Sequence, residues 1–306
     1  MRALLVVNPT ATATTRRRRD SLAQALARDA TLDVAETSAR GHAMAFARAA
    51  AADGLDLVVT LGGDGTVNEV VNGLLADGPD PRLPALAVAP GGSANVFSRA
   101  LGYSPDPARA ADELLEALRA GRRRSIGLGR ADGRWFTCSA GLGIDAAVVR
   151  RVHLARASGP ASPSLYVRSA VREYFRGIDR RRPTLTLRRP GASPQPGLFF
   201  AIVTNTAPWT YAGRRPVNPI PTASFDTGLD LLSMTSMGAL SVLRVVAEAL
   251  RRDPRPRGRH LVRLHDQGEL ELSSDPPIAV QVDGEYIGER AGARLVAVPS
   301  ALTVVA

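Results

Sequence analysis

Residues 57–73 read Leu-Val-Val-Thr-Leu-Gly-Gly-Asp-Gly-Thr-Val-Asn-Glu-Val-Val-Asn-Gly. The apolar run from Leu57 to Leu61 is typical of a buried strand, and the apolar residues after Gly65 recur at the spacing of a helix. Between them stand three glycines around one aspartate, Asp64. Glycine permits positive φ and lets a bulky anion come close to the backbone, and a helix N-terminus offers N–H groups with partial positive charge. The pattern therefore predicts a strand, turn and helix that cradle phosphate groups.

Asp64 is the first candidate for chemistry in this turn. An aspartate flanked by glycines at the end of a strand has little packing use, whereas Mg-nucleotide chemistry needs a carboxylate near the phosphates. We therefore expect Asp64 to organise Mg²⁺ or the γ-phosphate. Thr66 and Glu69 fit a capping box on the following helix, so their pattern has a structural interpretation beside a functional one.

The residues up to about 125 alternate short apolar runs with helical patterns, which is typical of parallel strands joined by crossover helices. Strands are predicted at Ala3–Val7, Leu55–Leu61 and Leu86–Ala89, and helices at Arg16–Ala30, Gly41–Ala52, Thr66–Leu75 and Pro107–Ala120. A second glycine-rich turn reads Pro-Gly-Gly-Ser-Ala-Asn over residues 90–95, and a third turn follows the first strand at residues 8–10. Because ligands of open α/β sheets bind outside the carboxyl ends of the strands, the three turns are predicted to line one crevice.

From residue 126 onward, strand-like segments separated by turns replace this alternation. Asp132-Gly133 is a hairpin-type turn between two such segments within residues 125–141. Further extended segments are predicted at Thr184–Leu187, Phe199–Thr204 and Ile278–Val282. We therefore expect an α/β domain over residues 1–125 and a mostly β, antiparallel domain over 126–306, whose last strand is a candidate to return to the first domain.

The sequence contains no lysine, and its net charge of +10 rests on arginine. The P-loop pattern G-x-x-x-x-G-K-[ST] requires a lysine and is excluded, so a phosphate site here must use backbone N–H groups, hydroxyls, arginines and metal. The arginines fall into scattered clusters without interleaved aromatic residues. This distribution favours a solvated basic face or an anionic membrane surface over nucleic acid.

Other features of the sequence argue against further classes of protein, namely membrane-spanning, secreted, zinc-binding and hydrolytic ones. The apolar runs are far shorter than the ~20 residues that cross a bilayer, and the N-terminus enters a predicted strand directly, so we expect neither a transmembrane helix nor a secretory signal. The single cysteine, Cys138, cannot form an internal disulfide, and the cytoplasm is the default expectation. The four histidines lack metal-ligand spacing, and no Gly-x-Ser-x-Gly elbow supports hydrolase chemistry.

Three motifs together carry a family resemblance. Gly-Gly-Asp-Gly-Thr-Val-Asn-Glu-Val over residues 62–70, Pro-Gly-Gly-Ser-Ala-Asn over 90–95 and Asp-Gly-Glu over 283–285 resemble the diacylglycerol kinase catalytic-domain family, which includes bacterial lipid kinases and sphingosine and ceramide kinases. The resemblance covers essentially the whole chain. It implies an N-terminal α/β domain with a parallel sheet like that of NAD kinases, a C-terminal antiparallel β-sandwich-like domain, and Mg-ATP in the cleft between them.

The resemblance also implies roles for particular residues. The nucleotide site would comprise Asn8, Thr37, Gly62, Gly63, Asp64, Gly65, Thr66, Val67, Asn68 and Ser93. Glu285 matches the family's proton acceptor, although Asp283 could serve instead and residues 283–285 could form a simple hairpin turn. Asp226 and Asp230 fall at a structural Mg²⁺ site, where Thr227 replaces the commoner acidic ligand.

The first expectation is an ATP-dependent lipid kinase that converts diacylglycerol to phosphatidic acid at the inner face of the membrane. Alternatives are a sphingosine, ceramide or glycolipid kinase, an NAD kinase that shares the Gly-Gly-Asp-Gly turn, and a catalytically silent nucleotide- or lipid-binding module. The expected partners are ATP, the lipid and an anionic membrane surface, with a homodimer left open. The apolar residues Leu165, Tyr166, Val171, Tyr174 and Phe175 are candidates for membrane contact, and their helical spacing is also typical of core residues.

Overall fold

A computed structural model describes residues 1–155 and 163–306. The Ser/Pro/Gly-rich stretch Ala157–Ser164 therefore falls mostly outside the described residues. The chain forms two compact units, one of residues 1–128 with 299–306 and one of residues 129–298. In the described part of the chain, no helix is long and apolar enough to cross a membrane.

The first unit contains a parallel sheet with crossover helices. Its elements in chain order are β1 (Arg2–Val7), α1 (Arg16–Leu26), β2 (Thr31–Glu36), α2 (His42–Ala52), β3 (Leu57–Gly62), α3 (Asp64–Leu74), β4 (Ala85–Pro90), α4 (Val96–Ala100) and α5 (Pro107–Arg119). The strand order is β4-β3-β1-β2, with every pair parallel. The chain leaves β1 first toward β2 and then crosses to β3 on its other side. Such a reversal of strand order opens a crevice at the carboxyl ends of the strands.

The second unit is built mainly from antiparallel strands. Its strands are β5 (Arg123–Ala131), β6 (Arg134–Phe136), β7 (Ser139–Leu142), β8 (Leu185–Arg188), β9 (Gln195–Leu198), β10 (Ala201–Thr204), β11 (Thr210–Ala212), β12 (Arg215–Val217), β13 (Leu229–Met234), β14 (Leu261–Gln267), β15 (Glu269–Val282) and β16 (Glu285–Val305), and the unit boundaries fall within β5 and β16. Strand β15 pairs antiparallel with β7, β8 and β16, and β10 pairs antiparallel with β7 and β13. The helical elements are α6 (Ile144–Ala155), α7 (Pro163–Arg172), a π-helical turn (Glu173–Gly177) and α8 (Ala239–Ala249).

The two larger apolar clusters form most of the core of the second unit. One cluster packs side chains such as Phe136, Leu142 and Leu272 between its strands. The other, around Phe200 and Ile202, receives partly buried side chains from the helical elements. The sequence-based prediction of a parallel α/β part followed by an antiparallel β part is confirmed.

Candidate active site

Two glycine turns meet at the carboxyl ends of β3 and β4. The N–H of Gly91 donates to the carbonyl oxygen of Gly62 at 2.7 Å. A Cβ atom built on Gly92 would lie 2.6 Å from the Cα of Gly63, a separation that real Cβ atoms do not show. The two turns therefore pack backbone against backbone, and a side chain at position 92 would force them apart.

The glycines of the first turn differ in how strongly the structure requires the absence of a side chain. Gly63 has φ −91°, so the expectation that it needs positive φ is wrong. Its constraint is steric, because its Cβ would lie 3.3 Å from the Cα of Gly92. Gly65 is exposed, and a Cβ there would meet no atom within 4 Å. Positions 63 and 92 thus hold the turn together, whereas position 65 leaves its outer side open.

Asp64 is the first residue of α3 and connects the two turns. Its Oδ1 accepts a hydrogen bond from the backbone N–H of Phe97, in the first turn of α4, at 3.1 Å. The aspartate therefore has a structural role that the sequence does not reveal. The N-cap of α3 is Gly63, which supplies no side-chain cap to the N–H groups of the first turn. The N–H groups and the dipole of a helix N-terminus are suited to bind an anion.

The predicted capping box of Thr66 and Glu69 is wrong. Helix α3 begins at Asp64, so Thr66 lies inside the first turn, and its Oγ1 accepts from Nδ2 of Asn8 at 3.1 Å. The Glu69 carboxylate accepts from the N–H groups of Gly41 at 2.9 Å and Ala43 at 3.2 Å. Glu69 therefore caps α2, whose own N-cap residue, Gly41, has no side chain to do so.

The loop after β1 joins the same edge of the sheet. Asn8 bonds through its backbone N–H to Leu61 O, and its Oδ1 accepts from the N–H and hydroxyl of Thr10. The N–H of Ala13 donates to Gly91 O at 2.7 Å. Beside this loop lies a cavity of about 320 Å³ lined by Val7, Pro9, Thr14, Thr15, Arg16, Arg19 and Glu36. Arg19 is ion-paired with Glu36 and Asp20, so Arg16 is the lining residue whose charge could serve a phosphate-bearing ligand.

The predicted nucleotide-site residues differ in burial and in hydrogen-bond partners. Asn8 and Thr66 are directly bonded to each other beside the turns, and Thr37 follows β2 with its N–H bonded to Val7 O. Val67 and Asn68 are buried within α3, and Oδ1 of Asn68 accepts from Nδ2 of Asn72 at 3.2 Å. Ser93 is exposed on the second turn.

Asn95 is a member of the second turn that the sequence analysis quotes without assigning a role. It has φ 48°, and its side-chain amide both accepts from Gly92 N–H and donates to Gly92 O at 2.8 Å. Asparagine tolerates the left-handed conformation and often closes turns in this way. Asn95 is part of the motif in the sequence, but its hydrogen bonds to Gly92 are visible only in the structure.

In the second unit, Asp283 and Gly284 form the tight turn between β15 and β16. Their φ values are 46° and 76°, and Val282 pairs with Glu285 across the turn. The Asp283 carboxylate accepts four hydrogen bonds of 2.7–2.9 Å, from the N–H and hydroxyl of Thr137 and the N–H groups of Cys138 and Ser139. Asp283 therefore anchors the turn, and its oxygens are already occupied.

Glu285 lies in a different environment from Asp283. Its carboxylate forms an ion pair with Arg134, and the two side chains are 27% and 31% exposed. A carboxylate that is partly open to solvent can reach an incoming hydroxyl. Of the two acids in this turn, Glu285 is the better candidate for a proton acceptor.

Two buried side chains, Gln281 and Asp145, form hydrogen bonds that stabilise the turn at Asp283 and Gly284. Gln281 accepts from Gly284 N–H through Oε1 and donates through Nε2 to Oδ2 of Asp145, both at 2.8 Å. Burial raises the pKa of Asp145 to about 6, an effect that the hydrogen bond from Gln281 partly opposes. Gly141 makes room for this acid, because a Cβ there would lie 1.7 Å from Oδ2 of Asp145.

The donor set around Asp226 and Asp230 does not fit a magnesium ion. Asp230 is fully buried, and its oxygens accept from the hydroxyl of Thr222, from Nδ1 of His265 at 2.8 Å and from the N–H of Asp266 at 3.1 Å. Asp226 is exposed. Mg²⁺ requires several oxygen ligands, and no group of three or more His, Cys, Asp or Glu residues able to hold a metal occurs within residues 1–155 and 163–306.

A parallel α/β unit followed by an antiparallel β unit is the fold that this chain shares with solved structures of diacylglycerol kinases. The crystal structure of a diacylglycerol kinase from Bacillus anthracis (strain Sterne) superposes with a TM-score of 0.74 at 19% identity, covering 99% of this chain and 96% of that one. A second structure from that organism gives a TM-score of 0.77 at 21% identity. At these identities the likeness concerns the fold alone.

Sequence comparison finds similarity to the same family. Residues 2–131 match the sequence model of the Diacylglycerol kinase catalytic domain. Diacylglycerol kinase of Bacillus subtilis (strain 168) is 29% identical over 262 residues, which are 82% of this chain and 78% of that protein. Diacylglycerol kinase of Staphylococcus aureus (strain JH9) is 36% identical over 96 residues, which are 31% of this chain and 28% of that protein. Residues 2–131 thus resemble the diacylglycerol kinase catalytic-domain family, as the motifs indicate.

Proposed function

We propose that this protein is an ATP-dependent lipid kinase that phosphorylates a lipid hydroxyl, with diacylglycerol as the first candidate. The observation that supports this most is the interlocked pair of glycine turns, with Asp64 at the N-terminus of α3, inside the residues that match the catalytic domain. The relatives named above carry the name diacylglycerol kinase, which favours that lipid over sphingosine, ceramide or a glycolipid.

Phosphoryl transfer depends mainly on alignment and on neutralising charge on the moving group. The N–H groups at the start of α3, together with Arg16 beside the first loop, would bind the phosphates. Mg²⁺ arrives with ATP as part of the substrate and supplies positive charge to the phosphate oxygens. Asp64 is the acid in the cradle that would organise this complex, in addition to holding Phe97 N–H.

The acceptor hydroxyl needs a group that takes its proton. In the proposed step, the lipid oxygen forms a bond to the γ-phosphorus, the bond from that phosphorus to the bridging β–γ oxygen breaks, and ADP leaves. The hydroxyl proton passes to Glu285, whose carboxylate is partly exposed beside Arg134. Because Asp283 is held by four donors, we assign it to the turn and not to the reaction.

The experiment is a phosphorylation screen with labelled ATP. Purified protein is offered diacylglycerol, sphingosine, ceramide, a glycolipid and NAD, and we expect label in phosphatidic acid. Asp64→Asn is the matched variant, since it keeps an oxygen for Phe97 N–H but removes the charge. We expect loss of roughly 10²-fold or more in kcat with little change in Tm.

The other outcomes separate the remaining candidates. Label in NAD alone would identify an NAD kinase, and label in another lipid would keep the kinase but change the acceptor. An absence of any labelled product, with ATP still bound, would indicate a silent nucleotide-binding module. Asp64→Asn activity close to that of the unaltered protein would contradict the role of Asp64.

A further inference from the structure

The second unit exposes an unusual set of large apolar side chains on three helical elements. Between 50% and 64% of the surface of each is exposed, and the set comprises Val167 and Val171 of α7, Phe175 of the π-helical turn, and Leu240, Leu243 and Val246 of α8. Isolated exposed apolar residues are ordinary, but contiguous ones indicate an interaction site. Those on α7 and the turn are spaced by four residues, so they follow one helical face.

These elements are attached to the same part of the core. Val242 and Val245 of α8 and Tyr174 of the π-helical turn pack against one apolar cluster, which includes Ile202. The hydroxyl of Tyr174 donates to the carbonyl oxygen of Met237, just before α8, at 2.8 Å. The π-helical turn that continues α7 and helix α8 are therefore both anchored to one apolar cluster and joined by a hydrogen bond, with their exposed residues on the outer side.

The charges on these elements are almost entirely positive. Arg168, Arg172, Arg176 and Arg244 are exposed, and none has a carboxylate partner among the residues that the structure describes. The two acids of these elements are engaged elsewhere, since Glu173 is buried against Arg151 and Glu248 pairs with Arg251. The surface is therefore apolar and cationic.

We propose that this apolar–arginine face, formed by the six apolar residues above with Arg168, Arg172, Arg176 and Arg244, docks the protein on an anionic lipid bilayer. Apolar side chains can enter the boundary between headgroups and acyl chains while the arginines bind lipid phosphates. A second copy would place like charges opposite one another in a two-fold contact, which disfavours a dimer through this face. The inference rests on the proposed function, because a lipid acceptor must be reached at a membrane.

The face differs from the membrane contact predicted from the sequence. Of the five residues expected there, Val171 and Phe175 are well exposed and Tyr166 is 37% exposed, whereas Leu165 is half-buried and Tyr174 packs on the core. Helix α8 contributes half of the apolar residues.

The test is co-sedimentation with vesicles of phosphatidylcholine, with and without phosphatidylglycerol, in the absence of ATP. The double variant Leu240→Gln/Leu243→Gln should lower the partition onto anionic vesicles by about tenfold or more, since two apolar side chains no longer enter the lipid. Met44→Gln, which alters an exposed apolar residue on α2, should bind as the unaltered protein does. Equal binding by the double variant, or an equal loss with Met44→Gln, would overturn the proposal.

Charge is tested in the same assay. Arg244→Gln should weaken binding to anionic vesicles more than Arg48→Gln, which removes the same charge from an exposed position on α2. Added salt should reduce this difference, because the Debye length falls to about 8 Å at physiological ionic strength. Equal effects of the two variants would show that only net charge matters and would contradict a specific face.

A labelled cysteine reports insertion directly. Cys138 is the single cysteine of the chain and is buried, so Leu243→Cys introduces one accessible thiol. An environment-sensitive dye at position 243 should report an apolar environment on anionic vesicles, while the same dye on Met44→Cys should not. Identical responses at the two positions would overturn the assignment.

Two measurements keep this inference distinct from the proposed function. The Leu240→Gln/Leu243→Gln variant should retain activity on a short-chain, water-soluble diacylglycerol and lose activity on vesicles. If the protein binds vesicles through this face but phosphorylates no lipid, the proposed function is contradicted and the docking proposal is still supported. If light scattering shows a dimer that the double variant converts to a monomer, the face joins two copies and the proposal fails.

Discussion

At the scale of single residues, Asp283 and Glu285 lie two positions apart but have different environments, and we therefore assign them different roles. Asp283 accepts hydrogen bonds from three backbone N–H groups and a hydroxyl, and Glu285 has a guanidinium partner and partial exposure. The sequence places both acids in one turn, and from the sequence alone either could be the proton acceptor. The partial exposure of Glu285, together with the four hydrogen bonds on Asp283, favours Glu285.

Glu285→Gln should reduce kcat by roughly 10²-fold and leave the affinity for ATP nearly unchanged, because Gln keeps an oxygen for Arg134 but cannot accept a proton. Steady-state kinetics with a separate nucleotide titration measure both quantities. Asp283→Asn is the control and should instead lower stability by roughly 2–4 kcal/mol, because its amide group would face N–H donors. A saturated rate unchanged by Glu285→Gln, with weaker ATP binding, would make Glu285 a nucleotide contact.

Asp145 should give stability a dependence on pH. Its pKa is raised from 3.8 to about 6 in the folded protein by burial, so between these values the folded state holds a proton that the unfolded state has lost. The unfolding free energy should therefore fall as pH rises from about 4 to about 6 and then level off, by about 3 kcal/mol at 1.4 kcal/mol per pH unit.

Asp145→Asn isolates this contribution, because Asn keeps an oxygen for Nε2 of Gln281 but does not titrate in this range. Urea denaturation from pH 4 to 8 should show the variant gaining stability relative to the unaltered protein as pH rises. Parallel stability curves for the two proteins would mean that Asp145 does not titrate as its burial requires.

At the scale of elements, the cradle depends on how closely two turns approach. Gly92→Ala would put a methyl group 2.6 Å from the Cα of Gly63, so the turns must separate. We expect a loss of at least about 1 kcal/mol in stability and a weaker affinity for an ATP analogue by calorimetry. Gly65→Ala meets no atom within 4 Å and is the matched control for stability. If Gly92→Ala behaves like the unaltered protein in both measurements, the contact does not hold the turns.

The sequence predicts elements well where local pattern and burial agree. Strands β1, β3 and β4 are apolar runs that become fully or almost fully buried, and the turn at Asp132 has the expected positive φ at both positions. Strand β2 was not predicted because it is the edge strand of the parallel sheet and most of its residues are exposed. Contacts over long sequence distances were not predictable either. Glu69 caps a helix 26 residues earlier in the chain, and the donors of Asp283 precede it by more than 140 residues.

At the scale of the whole molecule, the first unit is assembled from two distant pieces of chain. Residues 299–306 belong with residues 1–128. Val304 pairs parallel with Leu86 of β4, and the carbonyl oxygen of Val305 accepts from the hydroxyl of Tyr103 at 2.9 Å. The apolar side chains of Leu302, Val304 and Val305 are buried. The last residues therefore complete the unit that contains the glycine turns.

Val304→Asp should destabilise the first unit by several kcal/mol, because an unpaired carboxylate would occupy a position with 0% exposure. Thr303→Asp places the same charge on the adjacent, partly exposed position of the strand and should have a much smaller effect. Hydrogen exchange resolves where the loss occurs. Amides of β3 and β4 should exchange faster in Val304→Asp, and those of β10 and β13 should keep their protection, since they belong to the second unit. Faster exchange in β10 and β13 alone, or equal effects of the two substitutions, would show that the C-terminal residues do not stabilise the first unit as their pairing and burial indicate.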